Sequence, residues 1–269
     1  MKKLVVFGDS FANYSKGVEA GDITCSWTTE LANKLNLPLL MYGIAGSSLS
    51  YSLHMFFEYY LSEEYDSEDY IIFLTSDPVS RSYTKTMPHP SLGVAPGALH
   101  NPFYTRSEKR WLKNNVKSFE WYQMSCANLG LNFELVQTFA TLKVWADSHL
   151  TNKLLVMRVF GTYFDQHIES LNELIKPNSN FFPILEKENS LFKLSIDEFA
   201  SYEMFAQCIG GDDPRMNHFS KVNREILVRL VYEIFKNNSI NGFDSNHFIK
   251  NIYNTKDEVV RLSNTRGPL

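Results

Sequence analysis

Apolar residues in this chain fall into short unbroken runs, separated by longer stretches in which they recur every three or four positions. The runs at 3–7, 37–42, 70–75 and 154–160 are rich in Leu, Val, Ile and Phe and read as strands. They are continuous rather than alternating, which is the pattern of a parallel core strand. Between them the spacing predicts helices over 26–35, with Ser26 as N-cap and Glu30 in the first turn, and over 48–61. Further helical stretches are expected over 107–129 and 133–149. The clearest helix is 220–236, where Ser220 is the N-cap and Val222, Ile226, Leu227, Leu230, Val231 and Ile234 share one face. Strands alternating with helices predict a doubly wound α/β domain on a parallel sheet, closed by this last helix.

Two regions break the pattern. Residues 80–102 contain Pro88, Pro90, Pro96, Pro102, Gly93 and Gly97, and predict a long loop leaving the third strand. Residues 80–150 thus form a loop and helical insertion within a domain expected to span 1–236. After 236 the chain turns polar and Asn-rich, and 237–269 is expected to be a C-terminal extension, either an appended helix or a tail used in self-association. No internal repeat or low-complexity segment is present.

Composition narrows the class. With 44% hydrophobic and 21% charged residues, the 269-residue chain can bury a sizeable core. A net charge of −4 with no Lys/Arg run leaves no footprint for nucleic acid. Met1-Lys2-Lys3 imitates the start of a signal peptide, but Gly8-Asp9-Ser10 ends the apolar stretch too early, and no other stretch approaches a membrane span. Cys25, Cys126 and Cys208 are widely spaced, suggesting neither a disulfide framework nor a zinc site, so reduced thiols in a cytoplasm are expected.

Candidate chemistry gathers where strands end. Gly8-Asp9-Ser10-Phe11 follows the first run, so Ser10 is placed at the carboxyl edge of the sheet, where open α/β sheets carry their sites. Asp and Ser also cap ordinary turns, so these four residues fit a turn as well as a nucleophile. A serine nucleophile needs a base. His218 is the leading candidate, in a turn-rich segment just before the last helix, with Asp212 or Asp213 to orient its ring. Gly43-Ile44-Ala45-Gly46-Ser47-Ser48 follows the second strand and can present backbone N–H groups to a developing oxyanion. Thr75-Ser76-Asp77-Pro78 brings hydroxyls to the same edge. As an alternative, Asp9, Asp77, Asp212 and Asp213 meeting at one edge would hold a hard cation for phosphoryl transfer.

In this order the four blocks resemble the signatures of the SGNH (GDSL-like) hydrolase superfamily, over residues 3–236. The resemblance implies a three-layer α/β/α fold with a central parallel, flavodoxin-like sheet and a helical excursion after strand three. It implies a serine esterase without cofactor or metal, acting on an acyl or acetyl ester of a carbohydrate or related small molecule. Carried over residue by residue, Ser10 is the nucleophile, His218 the base, Asp213 its orienting acid, and Gly46 with the Ser10 N–H the oxyanion donors. Asp9 stands in the same signature block as Ser10, and is counted with the oxyanion and substrate-binding residues. Two blocks depart from the family. Ser76 stands where the pattern has an asparagine, and Arg215 stands where the acid of Asp-x-x-His is expected, with Asp213 five residues before His218. Thr75-Ser76 with Arg81 is similar to a block in bacteriophage members, which implies a phage- or host-cell-associated source. The departures also fit a binding module that keeps the fold with weak or no catalysis.

Overall fold

The computed structural model describes residues 1–12, 26–44, 46–76, 105–107, 109–111, 113–114, 133–159, 176–208, 218–255 and 258–259. A five-stranded parallel sheet forms the centre, in the order β2-β1-β3-β4-β5. Its strands are β1 (Leu4–Phe7), β2 (Leu39–Met41), β3 (Tyr70–Thr75), β4 (Lys153–Arg158) and β5 (Phe181–Ile184). The helices are α1 (Trp27–Leu35), α2 (Leu49–Tyr60), α3 (Phe133–Ser148), α4 (Leu191–Ile196), α5 (Tyr202–Cys208) and α6 (Lys221–Asn237).

The unbroken apolar runs follow from burial on both faces of the sheet. Successive side chains of a strand point to opposite faces. Leu4, Val6, Ile72, Leu74, Leu155 and Met157 accordingly join one core cluster with Leu31 of α1 and Leu227 and Val231 of α6. Val5, Phe7, Ile71, Phe73, Leu154 and Val156 join a second with Phe56 of α2 and Phe139 and Leu142 of α3. This is the three-layer α/β architecture that the hydropathy pattern predicts. No helix among the described residues is long and apolar enough to cross a membrane.

Local signals set the helix ends. The Ser26, Ser48 and Ser220 hydroxyls accept from the N–H groups of Thr29, Tyr51 and Asn223, capping α1, α2 and α6. Asn36 and Asn238 end α1 and α6 in the left-handed conformation. Residues 106–107, 109–111 and 113–114 are helical at the start of the stretch expected over 107–129. The rest of that stretch and the loop at 80–102 lie outside the described residues.

Three elements go beyond the sequence reading. β5 is a short strand containing Pro183, which the missing N–H confines to an edge, and it pairs with β4 alone. α4 and α5 follow it, too short for periodicity to announce. The segment after α6 folds back onto the domain. Phe243 and Phe248 enter the core of the α1/α6 face, and Tyr253 and Val259 pack with Phe199 and Phe205. The Asn223 side chain accepts from Ile249 N–H and donates to Ile249 O, both at 2.8 Å, fixing the segment to α6.

Candidate active site

The chain runs from β1 outward to β2 and then crosses back to β3, so the order in which strands are added reverses between β1 and β3, at their carboxyl ends. A crevice at such a reversal is where open α/β sheets bind ligands. Ser10 follows β1 and Ser76 follows β3, so both stand at that point.

Close packing builds the turn that carries Ser10. Gly8 has φ +154°, and a Cβ there would lie 2.7 Å from the Leu74 Cβ, which a real contact does not permit. The Gly8 carbonyl accepts from Ile44 N–H at 3.1 Å and from the Ser47 hydroxyl at 3.0 Å, locking the loop after β2 against the Ser10 turn. Asp9 is fully buried, and its Oδ1 accepts from Phe11 N–H at 3.0 Å. Its backbone carbonyl accepts from Ala12 N–H, also at 3.0 Å. The carboxylate therefore acts on the turn's own backbone, holding Ser10 at its apex.

Ser47 N–H bonds Ile44 O at 2.9 Å, closing a four-residue turn with Gly46 third at φ +81°. That is the conformation a type II turn reserves for glycine. It places Gly46 two residues before Ser48, the N-cap of α2, beside the Ser10 turn.

The decisive contact joins residues 208 apart in sequence. The Ser10 Oγ lies 2.7 Å from His218 Nε2. His218 adopts φ +64°, a left-handed backbone that is uncommon for a non-glycine residue and must be held by its surroundings. Phe11 is tilted against the imidazole at 4.5 Å between ring centroids, and its own carbonyl accepts from Trp27 Nε1 at 2.7 Å. Phe219, the next residue, is buried in the core and meets the Phe11 ring edge-on at 5.9 Å.

Glu198 secures the residue after Phe219. This carboxylate is fully buried, and both its oxygens lie 2.9 Å from Ser220 N. Its Oε1 also accepts from the Ser220 hydroxyl and from Asn223 Nδ2, each at 2.8 Å. A carboxylate bonded to the N-cap N–H of α6 stands at the positive end of the helix, and charge-assisted bonds of this kind are the strong ones. His218 is thus pinned between an aromatic platform and a clamped helix start. Sequence reasoning passes over Glu198, because Asp197-Glu198-Phe199 carries no motif and its partners lie 22 and 25 residues away.

Ser76 is 1% exposed, and its Oγ has no hydrogen-bond partner among the described residues. A buried hydroxyl in that condition costs free energy unless something else uses it. The structure therefore brings Ser10, His218 and Asp9 together, sets Gly46 in the loop bonded to their turn, and leaves Ser76 at the neighbouring strand end. Asp213, Asp212 and Asp77 lie outside the described residues. Among the described residues no group of three or more His, Cys, Asp or Glu side chains is placed to hold a metal ion.

No protein-family model, curated protein or solved structure matches this chain.

Proposed function

We propose that this chain is a serine ester hydrolase, with Ser10 as nucleophile and His218 as general base. The observation that carries the reading is the 2.7 Å contact between Ser10 Oγ and His218 Nε2 at the carboxyl edge of the sheet. A serine hydroxyl is a poor nucleophile until a base within hydrogen-bond reach takes its proton. As Ser10 Oγ bonds to the acyl carbon, its proton passes to Nε2, and the carbonyl π electrons move onto oxygen. The Ser10 and Gly46 N–H groups and the Ser76 hydroxyl are the proposed donors to that oxyanion. Collapse expels the alcohol, which takes the proton back from His218. Water then attacks the acyl-enzyme with the same histidine as base, releasing the acid and restoring the serine.

The base at Nε2 requires the proton of the neutral ring on Nδ1, the role proposed for Asp213 being to accept it. An acyl or acetyl ester of a carbohydrate or related small molecule is the proposed substrate class, resting on the resemblance to SGNH hydrolases. Hydrolysis of p-nitrophenyl acetate tests the reading. Wild type is expected to turn it over, with kcat reduced about 10³-fold or more in Ser10→Ala and in His218→Ala. Equal slow rates in all three proteins would refute the nucleophile and leave a binding module of the same fold. Activity lost to EDTA would instead favour metal chemistry.

A further inference from the structure

At the amino edge of the sheet, opposite Ser10, a surface cavity of about 260 Å3 is lined by Lys2, Lys34, Lys236, Tyr70, Tyr232 and Phe235, among others. Topology explains the convergence. Lys2 precedes β1, Tyr70 opens β3, and α1 and α6 both end here. Lys153, the first residue of β4, reaches the same place. Each tyrosine ring is flanked by two ammonium groups. Lys2 Nζ lies 3.9 Å and Lys153 Nζ 4.9 Å from the centre of Tyr70. Lys34 Nζ lies 4.9 Å and Lys236 Nζ 5.9 Å from the centre of Tyr232. Tyr70 stacks in turn on the buried Phe235, with centroids 4.8 Å apart.

Some of this charge serves the fold. Lys34 and Lys236 sit in the last turns of α1 and α6, where a cation offsets the helix dipole, and Lys153 Nζ donates to the Phe235 carbonyl. No carboxylate pairs with any of the four among the described residues, although Lys3, Lys143 and Lys193 each pair with an aspartate. Three of these cations line the cavity and Lys153 stands against its Tyr70 ring; with no carboxylate partner among the described residues, in a chain of net charge −4, they repel one another unless an anion joins them. The cavity also acts on an oxygen already in it. Burial alone would raise the Tyr70 phenol, but the neighbouring Lys2 and Lys153 ammonium groups outweigh it and hold the phenol below its ordinary value.

We propose that this cavity binds a small polyvalent phosphate, a diphosphate or phosphate-ester group held by Lys2, Lys34, Lys153 and Lys236. Lysine is a compact point charge with rotatable donors, suited to a multiply charged group that fits the volume. The site is separate from the proposed ester site. Tyr70 and Ser76 stand at opposite ends of β3, and six extended residues span roughly 20 Å. The proposal therefore does not depend on the hydrolase reading.

Calorimetric titration of inorganic diphosphate into the full chain at fixed ionic strength tests it. Wild type is expected to show saturable one-to-one binding that weakens as salt is raised. The Lys34→Ala/Lys236→Ala double variant, altered at two exposed helix ends, is expected to bind about tenfold more weakly. Lys34→Arg/Lys236→Arg keeps the charge and is expected to retain binding. Ser10→Ala, and Lys221→Ala at the far end of α6, are expected to bind as wild type does. If the double alanine variant does not melt cooperatively, Lys236→Gln alone takes its place. Absence of saturable heat with wild type, or equal affinity in the alanine variants, overturns the proposal.

Discussion

The Ser76 hydroxyl is buried just past the carboxyl end of β3 without a partner among the described residues, at the position where the resemblance to SGNH hydrolases calls for an asparagine. Such a group is a burden on the folded state and, in the proposed mechanism, a donor to the transition state. The two roles pull a substitution in opposite directions. Ser76→Ala is expected to leave stability unchanged or raise it by up to about 1 kcal/mol, since the alanine has no hydroxyl to desolvate. The same change is expected to lower kcat about 10²-fold with little effect on KM, as removal of an oxyanion donor does. Thermal melting and steady-state kinetics on one preparation check both halves. A loss of stability together with an unchanged kcat would place the hydroxyl in a hidden structural bond instead. His218 shows a related tension, because its left-handed backbone is held in place by Phe11, Phe219 and the clamped Ser220.

At the scale of elements, the start of α6 is the part that the site leans on. Ser220 caps the helix while its own N–H and hydroxyl are taken by Glu198, so one carboxylate fixes both the helix origin and the backbone two residues after His218. Glu198→Gln keeps the shape but turns an amide NH2 toward donors already facing it. It is expected to cost about 1.5 to 3 kcal/mol, the range for a hydrogen bond to a charged group. With the fold retained at low temperature, kcat is expected to fall while KM holds, because the base is displaced rather than the substrate surface. Glu198→Asp, which preserves the charge, is expected to recover part of that rate. Denaturant unfolding and ester kinetics measure the two effects, and unchanged kinetics at a reduced midpoint would confine Glu198 to a structural role. Legibility at this scale is uneven for a physical reason. Ser26 and Ser220 act within three residues of themselves and can be read as caps, whereas Pro183 hides β5, because a proline in a short run argues against a strand until an edge is known to be available.

Across the whole molecule, the carboxyl edge of the sheet carries Ser10, Ser76 and the approach of His218, and the amino edge carries the lysine cavity. The described residues after α6 belong to this same body. Phe243, Phe248 and Tyr253 are buried, and Tyr253 N–H donates to the Glu198 backbone carbonyl at 2.9 Å. A chain ended after Asn238 would strip three aromatic side chains from the core and leave Asn223 without its Ile249 partners. Each large buried apolar side chain contributes about 1.5 to 3 kcal/mol, so the loss is comparable with the whole stability of an ordinary domain. The truncated protein is expected to lose its cooperative thermal transition, as circular dichroism would report, and a sharp transition near the wild-type midpoint would show the segment to be dispensable. The sequence by itself determined the parallel α/β layering, the Ser26 and Ser220 caps and the identity of Ser10 and His218 as candidates, because hydropathy period and capping are local properties of the chain. Only the tertiary structure decided that Ser10 and His218 meet, that Glu198 clamps the helix beside them, that Ser76 is buried without a partner among the described residues, and that four lysines converge at the far edge. Those facts join residues distant in sequence, and the packing of strands and helices is what sets the distances between them.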